Sequence, residues 1–178
     1  MNNWNRVFKP IVVLGIICIV ITGALAATNS VTAPVIQAAT IAAENAARAE
    51  LLPEAEGAFT KVEGVEVENV SDIYTADNGT GTVITCSGKG YGGSITVMVA
   101  FSPDDTVKQI KITESSETKG IGTNVTENTE YWALYNGLPA TQALVLGTDV
   151  DAYTGATISS RAVNNAVNAA IEAYNAIA

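Results

Sequence analysis

No charged residue occurs between positions 10 and 43, and this run constrains the chain more than any other feature. Its apolar part, residues 11–27 (IVVLGIICIVITGALAA), is at the short end of what spans a bilayer as a helix. Arg6 and Lys9 stand just before it, and the positive-inside rule puts that end in the cytoplasm. Everything downstream is then expected on the outer side of the cytoplasmic membrane. Three fates of the segment compete. Ala24-Leu25-Ala26 offers an A-x-A cleavage site for a signal peptidase. Cys18 could carry lipid, but Ile17 precedes it where a small residue is wanted. A retained single-pass anchor is the preferred reading, and all three export the domain. The expected organisation is an N-terminus and anchor over 1–28, a helical linker over 29–55 and one domain over 56–178.

The exported part is acidic. Of nine Lys and Arg, Arg6 and Lys9 precede every acidic residue, leaving seven cations against eighteen Asp and Glu. Such a domain repels phosphate backbones, which argues against nucleic-acid binding. There is no histidine. That removes the commonest general base, the commonest metal ligand and the usual triad in one stroke. Cys18 and Cys86 fit no metal spacing and no plausible disulfide. Chemistry in this chain therefore points to a cofactor. Neither a Rossmann glycine fingerprint nor a cysteine cluster is present for nicotinamide or iron–sulfur binding.

Residues 38–52 are rich in helix formers and end at Pro53. Alternation at Val62, Val65 and Val67 predicts a strand within 58–70, and Asp77-Asn78-Gly79 a turn. Strands are expected over 82–86, 95–101 and 107–113, the last two joined as a hairpin through SPDD. A glycine-rich loop fills 87–94, and an irregular loop 114–125. A short helix over 130–135, a short strand over 143–146 and a long amphipathic helix from 159 to the end complete an α+β class. Cys86 reads as a small core residue, and Tyr131 and Trp132 as core residues or as packing beside a bound cofactor rather than catalytic groups.

The segment Asp151-Ala152-Tyr153-Thr154-Gly155-Ala156-Thr157-Ile158-Ser159-Ser160 precedes the last helix. A helix N-terminus offers unpaired N–H groups and partial positive charge, which suits a phosphate. Gly155 and Ala156 leave room, and the hydroxyls can cap the helix or meet phosphate oxygens. Taken alone, such a cluster is usually a turn plus a cap. Two further segments matter: Glu117-Thr118-Lys119-Gly120-Ile121-Gly122, and Lys89-Gly90-Tyr91-Gly92 before the strand expected over 95–101. Gly120 and Gly122 permit close backbone approach, while the glycines around Tyr91 also suit a tight turn.

Together these segments resemble the FMN-binding subunits of the Rnf and Nqr membrane redox complexes, above all the G subunit of Rnf. The family's attachment pattern is Asp, two variable residues, Ser or Thr, then Gly-Ala-Thr, matched by Asp151, Thr154, Gly155, Ala156 and Thr157. The resemblance implies FMN held through a phosphoester on Thr157, installed from FAD by a separate flavin transferase. The family's Glu-Thr-Pro-Gly-Leu-Gly is met by Glu117, Thr118, Gly120, Ile121 and Gly122, with Lys119 in place of Pro and Ile121 of Leu. It implies that this loop offers backbone N–H groups to the flavin ring, with Tyr91 packing beside it and Lys89 pairing with phosphate or ring oxygens. The implied partners are the other Rnf subunits, which move electrons between ferredoxin and NAD with coupled Na⁺ or H⁺ transport. Alternatives are the C subunit of the Na⁺-translocating quinone reductase, a free-standing flavin carrier, or an anchored domain without cofactor.

Overall fold

The computed structural model describes residues 8–177, so Arg6 lies outside the described residues. Two compact units divide the chain after Ala43. From Lys9 onward the first is helical, being the greater part of α1 (Lys9–Leu51), the one described helix long and apolar enough to cross a membrane. It takes in most of the residues expected as anchor and as helical linker. Pro34 sits inside it and has no N–H for the carbonyl four residues back. The hydroxyls of Thr28 and Thr32 donate to the carbonyls of Ala24 and Thr28, so these polar groups are satisfied within the helix.

The second unit, from Glu44 onward, contains a five-stranded antiparallel sheet in simple order: β1 (Phe59–Lys61), β2 (Val70–Ala76), β3 (Thr82–Lys89), β4 (Ser94–Ser102) and β5 (Thr106–Ser115). The α+β expectation is met. Alternation along a strand sends its side chains to opposite faces, and β4 shows the result. Ile95, Val97, Val99 and Phe101 join one core, together with Val163, Val167, Ala170 and Ile171 of the last helix, α4 (Thr157–Ile177). Met98 and Ala100 join another, with Ala47, Leu51, Leu52 and Ala55 from the end of α1 and the 3₁₀ turn after it. Residues 44–55, expected in the linker, thus pack on the sheet.

Several expected boundaries shift. The strand foreseen within 58–70 is only β1; Val62, Val65 and Val67 pack against the core from a non-regular segment containing Gly64 at φ +87°. β2 had no sequence counterpart. β3 extends to Lys89, confining the glycine loop to residues 90–93, where Gly90 N–H donates to Gly93 O at 2.8 Å. The 143–146 strand is absent, with one isolated bridge between Leu146 and Val150 in its place. The predicted helix over 130–135 is α3 (Thr129–Trp132) continued as a 3₁₀ turn, preceded by the single turn α2 (Thr123–Thr126). Cys86 is fully buried and its thiol donates to Val97 O, and burial pushes its pKa up. It is an inert core residue.

Candidate functional site

The chain between Val150 and α4 is built as a turn locked onto a helix. Ala156 N–H donates to Tyr153 O at 3.0 Å, closing a four-residue turn with Gly155 third at φ +84°. That conformation favours glycine, as in a type II turn. The Ser160 hydroxyl ties the turn down, accepting from Tyr153 N–H at 3.0 Å and donating to Ala156 O at 3.1 Å. The Tyr153 ring lies edge-on to Tyr131, itself edge-on to buried Tyr135. Tyr131 is in the core, and half-buried Trp132 packs against it while donating to Val125 O. The first N–H groups of α4 have no partner within the helix, and its dipole leaves partial positive charge there.

Beside that terminus lies a cleft of about 580 Å³, lined by Tyr91, Glu117, Thr118, Ile121, Gly155, Ala156, Thr157, Ile158 and Ser159. Three segments far apart in sequence converge here: the β3–β4 loop, the loop after β5 and the start of α4. Three apolar side chains of the cleft are exposed, Tyr91 by 75%, Ile121 by 55% and Ile158 by 51%. Apolar side chains left in water around a concavity mark a binding site better than a core.

The hydroxyls divide sharply. Ser159 is buried and donates to Glu117 Oε2 at 2.7 Å, and Ser160 is buried and held by the turn. Thr157 is exposed and faces the cleft; Thr154 is exposed but does not line it.

The cleft therefore gathers Tyr91, Glu117, Thr118, Ile121, Gly155, Ala156 and Thr157 from the sequence expectation. It does not gather Lys89, Gly120, Gly122, Asp151 or Thr154. Lys89 borders a neighbouring hollow with Asn69, Ser87 and the loop glycines. The N–H groups expected to face a ring are already engaged: Gly120 donates to Thr123 Oγ1, and both Ile121 and Gly122 donate to Thr118 O. Ile158 and Ser159 complete the lining. Both stand in the segment singled out from the sequence, directly after Thr157.

The FMN-binding domain family profile matches residues 90–172, which hold all three cleft segments. The G subunit of the Na⁺-translocating ferredoxin:NAD⁺ oxidoreductase complex of Acetobacterium woodii is 32% identical, over 97% of this chain and 93% of that protein. The chain belongs to this family of G subunits. The G subunit of the proton-translocating ferredoxin:NAD⁺ oxidoreductase complex of Clostridium ljungdahlii is 31% identical, over 96% and 93% of the two chains. Its counterpart in the ion-translocating oxidoreductase complex of Methanosarcina acetivorans is 28% identical, over 99% and 98%. The crystal structure of Shewanella oneidensis NqrC is 30% identical over 55% of this chain and 54% of that one, with a TM-score of 0.47. A family whose domain binds FMN fits a histidine-free chain, because the cofactor brings the redox chemistry with it.

Proposed function

We propose that this protein carries FMN covalently through a phosphoester to Thr157 Oγ1 and serves as an electron-relay subunit of a membrane complex that couples electron flow between ferredoxin and NAD to Na⁺ or H⁺ transport. The observation that carries the attachment site is the division of hydroxyls at the start of α4. Ser159 and Ser160 are buried and bonded, whereas Thr157 is exposed in the cleft. A phosphate at Thr157 would sit beside the positive end of a 21-residue helix. Tyr91, Ile121 and Ile158 would then bound the flat apolar ring system.

The residues fit the group. Bound FMN supplies electron acceptance and release. The protein holds the ring, limits water and needs no side-chain base for electron transfer. Installation is a phosphoryl substitution: Thr157 Oγ1 bonds to the phosphorus of the FMN half of FAD, AMP leaves, and the hydroxyl proton is released. A threonine hydroxyl is a weak nucleophile without a base, and a separate flavin transferase would provide one. Asp151 and Thr154 are exposed, so such an enzyme can read them. Arg6 and Lys9 orient the anchor with its N-terminus inside and the domain outside. A covalent link there prevents loss of the cofactor.

The test is intact mass and in-gel ultraviolet fluorescence of protein taken from its native membrane. Wild type should carry one added FMN phosphoryl group, and Thr157→Ala none while keeping its fold. Covalent flavin on Thr157→Ala would overturn the assignment.

A further inference from the structure

Glu117 is where the three cleft segments are fastened together. Its Oε1 accepts the Gly92 N–H of the β3–β4 loop at 3.0 Å. Its Oε2 accepts the Ser159 hydroxyl of α4 at 2.7 Å. Two glycines make room for this one side chain. A Cβ at Gly90 would overlap Oε1, and one at Gly122 would overlap Oε2 and stand 2.6 Å from the Glu117 Cβ. Neither glycine has the positive φ that by itself would demand glycine. An added side chain at either position would therefore displace the carboxylate from where it sits. Ser159 lies two residues after Thr157 in the same helical turn.

We propose that Glu117 is a positioning residue for flavin attachment, tying the first turn of α4 to the glycine loop so that the Thr157 hydroxyl is presented at the cleft. The inference rests on Thr157 being the attachment site. Glu117 acts through Ser159 and the Gly92 backbone rather than on the phosphorus. A carboxylate accepts from both donors at once, and hydrogen bonds to an ionised acceptor are the stronger kind. The chemistry separates shape from charge. Gln can accept from Gly92 N–H with its carbonyl and donate its amide to Ser159, because a hydroxyl accepts as well as donates. Asp is one methylene too short to span both donors, and Ala makes neither bond.

The experiment uses full-length apo-protein with flavin transferase and FAD, following the initial rate of covalent flavin incorporation. Amide hydrogen exchange is recorded on the same apo-proteins below their melting transitions. Glu117→Gln should load within about threefold of wild type. Glu117→Ala and Glu117→Asp should load roughly tenfold slower or worse, the size expected from losing a charge-assisted hydrogen bond. Amides 160–163 should exchange faster in Glu117→Ala while those of β4 do not change. Ser159→Ala, which removes only the helix partner, should reproduce both effects and serves if Glu117→Ala does not fold. Loading of Glu117→Ala at the wild-type rate overturns the proposal, as does slow loading with unchanged exchange at 160–163. Failure of Glu117→Gln to rescue overturns it too, because charge rather than the tie would then matter. Absence of loading in wild type sinks the Thr157 attachment reading, while the exchange arm still decides whether the tie exists.

Discussion

Gly88 of β3 lies so close to Ala162 of α4 that a Cβ at Gly88 would overlap the Ala162 carbonyl oxygen and stand 2.7 Å from its carbonyl carbon. The backbone of Gly88 is not in the left-handed region. Glycine is needed here for approach, not for φ. This contact sets how deeply α4 sinks onto the sheet, and so how completely Val163, Ala166 and Val167 are buried. Five residues upstream the same helix presents Thr157, so the seat at Gly88 also fixes one wall of the cleft.

Gly88→Ala should therefore be costly. Forcing a methyl against fixed backbone costs about 1–3 kcal/mol, and more where neither side can yield. Gly120→Ala is the comparison. Its φ is +80°, with nothing within 4 Å of an added Cβ, so only the backbone penalty of about 1–2 kcal/mol applies. Urea unfolding of the two variants should show the larger loss at Gly88, accompanied by slower flavin incorporation. Equal losses would mean that α4 can retreat from β3 without penalty.

The apolar rim leads to a different expectation. Ile158 is half exposed beside Thr157 and contributes no hydrogen-bonding side-chain group. If Thr157 carries the flavin as proposed, Ile158→Ser should leave covalent flavin content near wild type, since the Thr157 hydroxyl is untouched. It should make the bound ring more accessible to solvent, read as stronger iodide quenching of flavin fluorescence. Loss of attachment with unchanged quenching of any residual flavin would assign Ile158 to transferase recognition instead.

What the sequence carried, and what it lacked, follows from the range of the forces involved. β3 and β4 were legible as short apolar runs buried on both faces, β5 as a half-buried strand after a turn, and α4 by its 3.6-residue period. β2 was not, because its seven residues are mostly half-buried and polar. The alternation of Val62, Val65 and Val67 is real burial without a ladder, since Gly64 at φ +87° interrupts the strand. At the site, Thr157, Gly155 and Tyr91 were readable as local motif residues. The bond from Ser159 to Glu117 crosses 42 positions, and no local pattern encodes it. The same bond changes how the second loop is understood. Its N–H groups are closed on Thr118 and Thr123, and its carboxylate, not its backbone, reaches the helix.

Alkali should unfold this domain before mild acid does. Burial first, then the hydrogen bond to Asp105, pushes the Tyr174 hydroxyl up to about 12. Burial also raises Cys86 and Tyr135 above their ordinary values. All three are neutral when protonated, and their folded pKa values exceed the unfolded ones. Their stabilisation is complete below the unfolded pKa of each, about 8.5 for Cys and 10 for Tyr. It is lost as pH rises toward the folded values. Above pH 10 each group steepens the loss by at most about 1.4 kcal/mol per pH unit, and Tyr174, with the smallest shift, by less. Urea midpoints should hold level up to about pH 8 and fall steeply beyond pH 10. Tyr174→Phe, which keeps the ring stacked on Phe101 at 4.5 Å, should flatten part of that fall. An unchanged slope in this variant would show that Tyr174 ionises freely in the folded state.

The end of α1 should behave as part of the domain, with Glu44 as the true start of the folding unit. Leu51 and Leu52 are fully buried against Ala76, Val83, Met98 and Ala100. Gln109 of β5 donates to the last carbonyls of the helix, Glu50 O at 3.2 Å and Leu51 O at 2.8 Å, satisfying groups a helix end leaves open. Lys111 and Lys108 pair with Glu50 and Glu54. Arg48 is buried with its guanidinium 3.9 Å from the Tyr74 ring centre and bonded to Glu44. Removing one buried leucine typically costs about 2–5 kcal/mol, and a domain's whole stability is about 5–15 kcal/mol. A fragment of residues 44–178 should therefore fold cooperatively, exclude hydrophobic dyes and accept flavin from the transferase. A fragment of residues 56–178 lacks both leucines and the helix that covers Met98 and Ala100, so it should melt far lower or aggregate. If the shorter fragment matched the longer in urea midpoint and flavin uptake, residues 44–55 would be a linker after all, and the packing of Leu51 and Leu52 on the sheet would contribute nothing the domain requires.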